Sequence, residues 1–276
     1  MFKVEDEVLK IDNTVHLQNS VMIIGLSGWG NAGEVSTFTV KYLVERLKAK
    51  RLGELSSEEF YNYRLQRPIV SIRRGIIDSY RSPKNEIYCS KRKIEDKEAG
   101  LILLVGSEPH LHWSKYARAI LKVAVKMDVK CIYTIGGYLA DIHHEAEPPI
   151  TGSTNNESLL EQLKDAGVEL TDYTGPTSVY SEILWQAKNK GINVVSLWCA
   201  VPIYIQGLYP KAAYFMLQKI LSLIGIKLDL RDLKKRAAST EIQITAEALS
   251  NPQLRQLIES LKWRRTVFEK EPNYMI

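Results

Sequence analysis

Short apolar runs, each followed by an amphipathic stretch of helical period, recur through most of this chain, and this alternation restricts the fold more tightly than any other feature. Val21 to Leu26 is apolar on both sides of an extended backbone, and Val35, Phe38, Tyr42 and Leu47 then fall on one side of a helix. Leu101 to Val105 is purely apolar. The stretch after Pro109 sets Trp113, Tyr116, Ile120, Ala124 and Met127 on one stripe, opposite Lys115, Arg118, Lys122 and Lys126. The alternation continues through Cys131 to Ile135, a helical pattern over 156–164, Val168 to Leu170, a pattern over 179–189, and Ile192 to Cys199. Strands apolar on both faces need cover on both, and the intervening helices supply it. The expected class is therefore α/β, a three-layer α/β/α sandwich with a mostly parallel sheet.

Two regions depart from the pattern. Over 60–92, Tyr, Arg and Ile come in short stretches around Arg73-Arg74-Gly75 and Ser82-Pro83-Lys84-Asn85, which predicts antiparallel strands and turns, a hairpin excursion from the main sheet. Ala212 to Ile224 is apolar almost all round and stops at Gly225, as a buried helix with a glycine cap should. Beyond Leu228 no strand signal follows. Ser250-Asn251-Pro252 marks a helix start, and Leu254, Leu257, Ile258 and Leu261 follow at helical spacing. The expected organisation is a core over 1–228, with its excursion at about 60–92, and a C-terminal helical appendage and tail over 229–276.

Composition removes whole classes. With 45% apolar and 25% charged residues, the 276-residue chain is neither disordered nor a disulfide scaffold. No run of 18 apolar residues is present, so no spanning helix is expected. The stretch MFKVEDEVLKID is acidic and broken by charges, unlike a signal peptide, and a cytoplasmic location is expected. Cys89, Cys131 and Cys199 lie far apart and form neither a disulfide framework nor a zinc motif. The 37 Lys+Arg against 32 Asp+Glu leave a net charge of only +5. The basic clusters 91–93, 231–236 and 264–265 are short and dispersed, so nucleic-acid binding is not expected.

Gly28-Trp29-Gly30-Asn31-Ala32-Gly33 spells G-x-G-x-x-G between an apolar strand and an amphipathic helix, where backbone N–H groups and a helix N-terminus can face an anion. Ser27, Gly28, Gly30, Asn31 and Gly33 are the candidate ligand-binding residues. A dinucleotide site also needs an acid at the end of a second buried strand. Glu54 has the spacing, but the segment before it, Lys48-Ala49-Lys50-Arg51-Leu52-Gly53, is too polar for a buried parallel strand, and no cofactor is expected. Asp141, His143, His144, Glu145 and Glu147 are of metal-ligating type. Adjacent histidines in an extended loop point to opposite sides, however, and Pro148-Pro149 reads as an exposed loop, so no metal is expected. Glu108, His110 and Asp141, near other strand ends, are candidates for acid/base chemistry in an enzymatic reading. The nucleophile elbow, the P-loop and H-E-x-x-H are all missing from the sequence.

Gly25-Leu26-Ser27-Gly28-Trp29-Gly30-Asn31-Ala32-Gly33, Gly106-Ser107-Glu108-Pro109-His110-Leu111-His112-Trp113, Ile135 to His143 and Ile150 to Asn155 occur in an order that resembles the proteasome assembly chaperone family. The similarity is to archaeal and bacterial uncharacterised members of the proteasome assembly chaperone 2 type. Tyr173-Thr174-Gly175-Pro176 and the stretches Ser196 to Pro202 and Tyr209 to Ala212 extend it over about residues 20 to 235. The resemblance implies an α/β/α core like that of phosphorylases or hydrolases, a homo-oligomer, and non-enzymatic help in assembling proteasome rings, with a proteasome-like subunit as partner. Members that dock on rings through their tail can end in a hydrophobic residue, Tyr and one final residue, whereas this sequence ends Asn273-Tyr274-Met275-Ile276. The loop His143-His144-Glu145-Ala146-Glu147 also departs from the proline, His and basic residues expected there. Two functional readings follow: an oligomeric, assembly-chaperone-like protein that binds other proteins, or a small-molecule binder or phosphorylase/hydrolase-like enzyme with its anion site at the 28–33 loop.

Overall fold

β2 (Ser20–Ser27) is apolar on both faces because both faces are covered: Ile23 points into one core, and Met22 and Ile24 into the other. The same holds for β7 (Lys97–Ser107), where Leu101 and Leu103 join the first core and Ile102 and Leu104 the second. In register, Ile23 lies between Leu103 of β7 and Tyr133 of β8 (Val129–Ala140). The computed structural model describes residues 8–55, 58–94 and 97–267. The C-terminal tail 273–276, and with it the tyrosine placement discussed above, lies outside them, as do the side chains of the 264–265 cluster.

Together with β11 (Asn193–Pro202), strands β7, β2, β8 and β11 form the parallel centre of the sheet. Antiparallel pairings extend it at the margins. On one side stand β1 (Leu9–Ile11), β3 (Lys50–Leu55) and β6 (Asn85–Ile94); on the other stands β9 (Ile150–Thr154), antiparallel to β11, with the short β10 (Glu169–Leu170) added in parallel to β9. The nine-strand order is β1-β3-β6-β7-β2-β8-β11-β9-β10. The polar segment ahead of Glu54 is thus β3, an antiparallel strand near the margin, where Lys50 and Arg51 stay in water.

Helices α1 (Val35–Arg46) and α5 (Pro210–Ile224) cover one face, with Val40, Leu43, Met216 and Ile220 in its core. Helices α2 (Trp113–Lys126) and α4 (Val179–Lys188) cover the other through Tyr116, Ile120, Val179 and Ile183. The short α3 (Leu160–Asp165) adds Leu163 to the first core. Of the C-terminal helices, α6 (Arg231–Ser250) packs on α5 and α7 (Pro252–Val267) packs on α6, sinking Leu233, Ile244, Ala248 and Ile258 into that same core. Among the described residues no helix is long and apolar enough to cross a membrane. Within the 60–92 interval, β4 (Ile69–Arg73) and β5 (Ile76–Arg81) form a separate two-stranded ribbon, and the chain rejoins the main sheet at Asn85.

Candidate functional site

The loops after β2, β7, β8 and β11 share the carboxyl end of the parallel strands, the usual ligand-binding edge of such sheets. The glycine loop sits there, and its contacts are with the protein itself. Gly28 has φ of 131°, and a Cβ at that position would lie 2.8 Å from Glu108 Oε2. Gly30 is pressed against the Trp198 ring, its carbonyl accepts the Gly137 N–H at 2.8 Å, and Asn31 bridges to Gly137. The Asn31 side chain accepts the Thr37 N–H and donates to the Thr37 hydroxyl, both at 3.1 Å, so it occupies the first turn of α1. Gly33 is buried, and its carbonyl accepts the Tyr209 N–H at 2.9 Å. Ser27 Oγ lies 3.4 Å from Ser107 Oγ, half-buried.

Glu108 joins this loop to the opposite helix layer. Its Oε1 accepts the Val179 N–H at 2.9 Å in the first turn of α4, and its Oε2 accepts the Trp29 N–H at 3.2 Å. A carboxylate at a helix N-terminus is held by the exposed amides and by the helix dipole, the same forces that hold a phosphate. His110 accepts the Asn62 N–H on Nδ1 at 3.3 Å, while its own N–H bonds the Phe60 carbonyl at 2.8 Å. Asp141 lies exposed in the turn after β8. Glu108 and the glycine loop are therefore brought together by direct bonds. His110 instead holds the 60–62 segment.

Other members of this end were not singled out from the sequence. Gln66 Nε2 donates to Ser107 Oγ at 2.8 Å, the Tyr61 hydroxyl donates to the Ser107 carbonyl at 3.1 Å, and the buried Asn85 donates to Tyr61 at 2.7 Å. Behind the loop, the Leu26 N–H is shared by Ser36 Oγ and the Tyr180 hydroxyl, each at 2.8 Å. Burial pushes the Tyr61 and Tyr180 hydroxyls well above the ordinary tyrosine range. Trp29, 65% exposed, meets Trp198 edge-on at 6.1 Å between ring centres, and Trp198 Nε1 donates to Ser196 at 2.9 Å. Two indole rings thus lie at this end of the sheet. The three cysteines are free, and burial pushes the Cys131 thiol up to about 12, far from a reactive thiolate.

The second cluster corrects a sequence expectation. His143 and His144 are 6% and 2% exposed rather than in an exposed loop, and Pro148 is buried as well. The two imidazoles stack, with ring centres 4.4 Å apart, instead of pointing to opposite sides. The cause is long-range: α5 and α6 close over a tight turn in which Ala146 N–H bonds the His143 carbonyl. His144 lies within hydrogen-bond distance of Tyr204 at 2.9 Å and of Thr245 on α6 at 3.1 Å. Its carbonyl accepts from Lys211 Nζ at 2.7 Å and from the Tyr209 hydroxyl at 3.1 Å, and Lys211 is paired with Glu241. This cluster ties the 143–147 loop to the C-terminal helices. Among the described residues no group of three or more His, Cys, Asp or Glu could hold a metal ion.

The sequence profile of the PAC2 family matches residues 25–248. An uncharacterized protein of Methanocaldococcus jannaschii is 25% identical over 245 residues, spanning 87% of this chain and 88% of the relative. Among solved structures, a proteasome-assembly chaperone homologue of Mycobacterium tuberculosis is 25% identical, with a TM-score of 0.78, and the match covers 86% of this chain and 99% of that one. The Pyrococcus furiosus protein PbaB, an archaeal proteasome activator, shares the fold at 24% identity and a TM-score of 0.70, over 86% of this chain and 97% of its own.

Proposed function

Because this chain belongs to the PAC2 family, we propose that it acts as a chaperone-like protein that binds other proteins, in the manner its chaperone-homologue relative suggests, rather than by turning over a small molecule. A proteasome-like subunit is the proposed partner, a homo-oligomer the proposed working form, and the cytoplasm the proposed place of action. The observation that carries this reading is the Glu108 carboxylate, both of whose oxygens accept backbone N–H groups of the protein itself at the edge where a ligand would bind. Asn31 is engaged in the same way on α1.

The test mixes the purified protein with purified proteasome subunits of its own organism and follows mass by light scattering during gel filtration. Co-elution, together with no turnover of nucleosides, phosphate esters or acyl esters, is the expected result. Turnover in the parent that disappears in a Glu108→Gln protein still folded at the assay temperature would reverse the assignment. Native mass spectrometry reads the oligomer: a 31.4 kDa species alone at micromolar concentration refutes that part of the proposal.

A further inference from the structure

Among the described residues the strands β4 and β5 pair only with each other, outside the nine-stranded sheet. Their turn is Arg74-Gly75, with φ of 50° and 81°, a two-residue connection whose paired positive φ values suit the twist of a hairpin. Register pairs Val70 with Tyr80, and a shift after Ser71 pairs Ile72 with Ile77. Without that shift Asp78 would stand opposite Ile72. With it, Val70, Ile72, Ile77 and Tyr80 share one face, and all four are between 47% and 68% exposed. They leave on the order of 400–500 Å² of apolar surface in water, the size of the largest patch on a typical monomer, which is often a binding site. The base of the ribbon is fixed: Gln66 bonds Ser107 at its entry and Asn85 bonds Tyr61 at its exit.

Charge selects the occupant. Residues 64–81 carry five exposed arginines, Arg64, Arg67, Arg73, Arg74 and Arg81, against the single carboxylate of Asp78, which makes +4 of the chain's net +5. The same ribbon on a second copy would oppose like charge. A single-stranded nucleic acid stacks on aromatic platforms, whereas three of the four side chains on this face are aliphatic.

We propose that the β4–β5 hairpin is the docking element for a second protein that presents an apolar groove rimmed by Asp and Glu. This deepens the chaperone-like reading and rests on it for the class of partner.

The test uses the full-length protein and three labelled probes read by fluorescence anisotropy: a strand peptide alternating Glu with Val, its Lys counterpart, and a single-stranded oligonucleotide. The Glu peptide should bind and the Lys peptide should not. Both Ile72→Ser/Ile77→Ser and Arg73→Gln/Arg74→Gln should weaken that binding about tenfold or more. No binding of the Glu peptide, or binding indifferent to both variants, overturns the proposal. So does oligonucleotide binding that persists in the isoleucine variant, which makes this a nucleic-acid face, or a fall in subunit number in that variant, which makes it a contact between copies. If the peptide result holds while proteasome subunits fail to co-elute, the proteasome reading falls and the hairpin proposal stands. Co-elution unchanged in both variants removes the hairpin and leaves the reading intact.

Discussion

Replacing Glu108 by Ala should destabilise the protein measurably, and the structure gives the size. The substitution removes the acceptors of two backbone N–H groups, at 2.9 Å from Val179 and 3.2 Å from Trp29. Trp29 is largely exposed, so water replaces the second bond at little cost. Val179 is fully buried, and its stranded N–H costs about 1–3 kcal/mol. Loss of the negative charge at the α4 N-terminus adds about 0.5–1 kcal/mol. The sum, about 1.5–4 kcal/mol, corresponds to a fall in Tm of roughly 3–7 °C for a chain of this size. Glu108→Gln keeps one acceptor, for the buried Val179 N–H, and loses the charge and the acceptor for the exposed Trp29 N–H, so it should cost about 1 kcal/mol. Urea denaturation followed by tryptophan fluorescence reads both variants, with an unchanged slope certifying that the unfolded states are comparable. A Glu108→Ala protein within about 0.5 kcal/mol of the parent would refute the anchoring role, because that is the usual range of a substitution at an unengaged surface position.

Gly136→Ala places a Cβ 2.3 Å from the Trp198 ring, and the displaced indole should cost about 1–3 kcal/mol and shift the fluorescence maximum to the red. Lys211→Met removes the donor shared by the His144 carbonyl and Glu241; α6 amides should exchange faster in that variant while β2 amides keep their protection. Asp229, held down to about 2 by its Arg231 bonds, and Asp232, lowered by the bond from Tyr42, stabilise the start of α6 above the ordinary carboxylate value of 3.8; that support is lost as pH falls towards 2, which NMR of the 231–234 amides should register. Tyr42, pushed up to about 12 chiefly by burial, keeps its proton in the fold, so its contribution is full below pH 10 and lost between 10 and 12; Tyr42→Phe should flatten the alkaline limb of stability against pH.

What was legible in the sequence was what local periodicity controls. Met22, Ile23 and Ile24 all had to be buried, so two covering layers followed, and the helix stripes at Tyr116 and Ile120 supplied one of them. The glycine loop was also found correctly in place between β2 and α1. What escaped depends on partners far along the chain. The burial of His144 is decided by Thr245, 101 residues downstream, and no local signal around Pro148 carries that information. Glu108 reads as a catalytic candidate until Val179, 71 residues away, is seen to donate to it. Asn85 reads as part of a turn and nothing local marks Gln66, because only tertiary contact with Tyr61 and Ser107 gives them a task.

Open α/β sheets bind anions at their carboxyl edge because helix N-termini leave amides unpaired there. In this chain the same amides are present and are matched from within: Asn31 serves α1, while Glu108 and Ser178 serve α4. Matching them internally turns a ligand edge into a crosslink between the glycine loop, the β7 end and the second helix layer. The segment that leads out to the β4–β5 ribbon is bonded to that crosslinked end through Gln66 on Ser107 and Asn62 on His110. A ribbon held at both ends by a rigid base loses little conformational freedom when a partner closes on it, so its apolar face can contribute more of its burial to affinity. The internal use of Glu108 and the exposure of Ile72 and Ile77 are in this sense two ends of one arrangement: a stiffened sheet edge and the recognition element it presents.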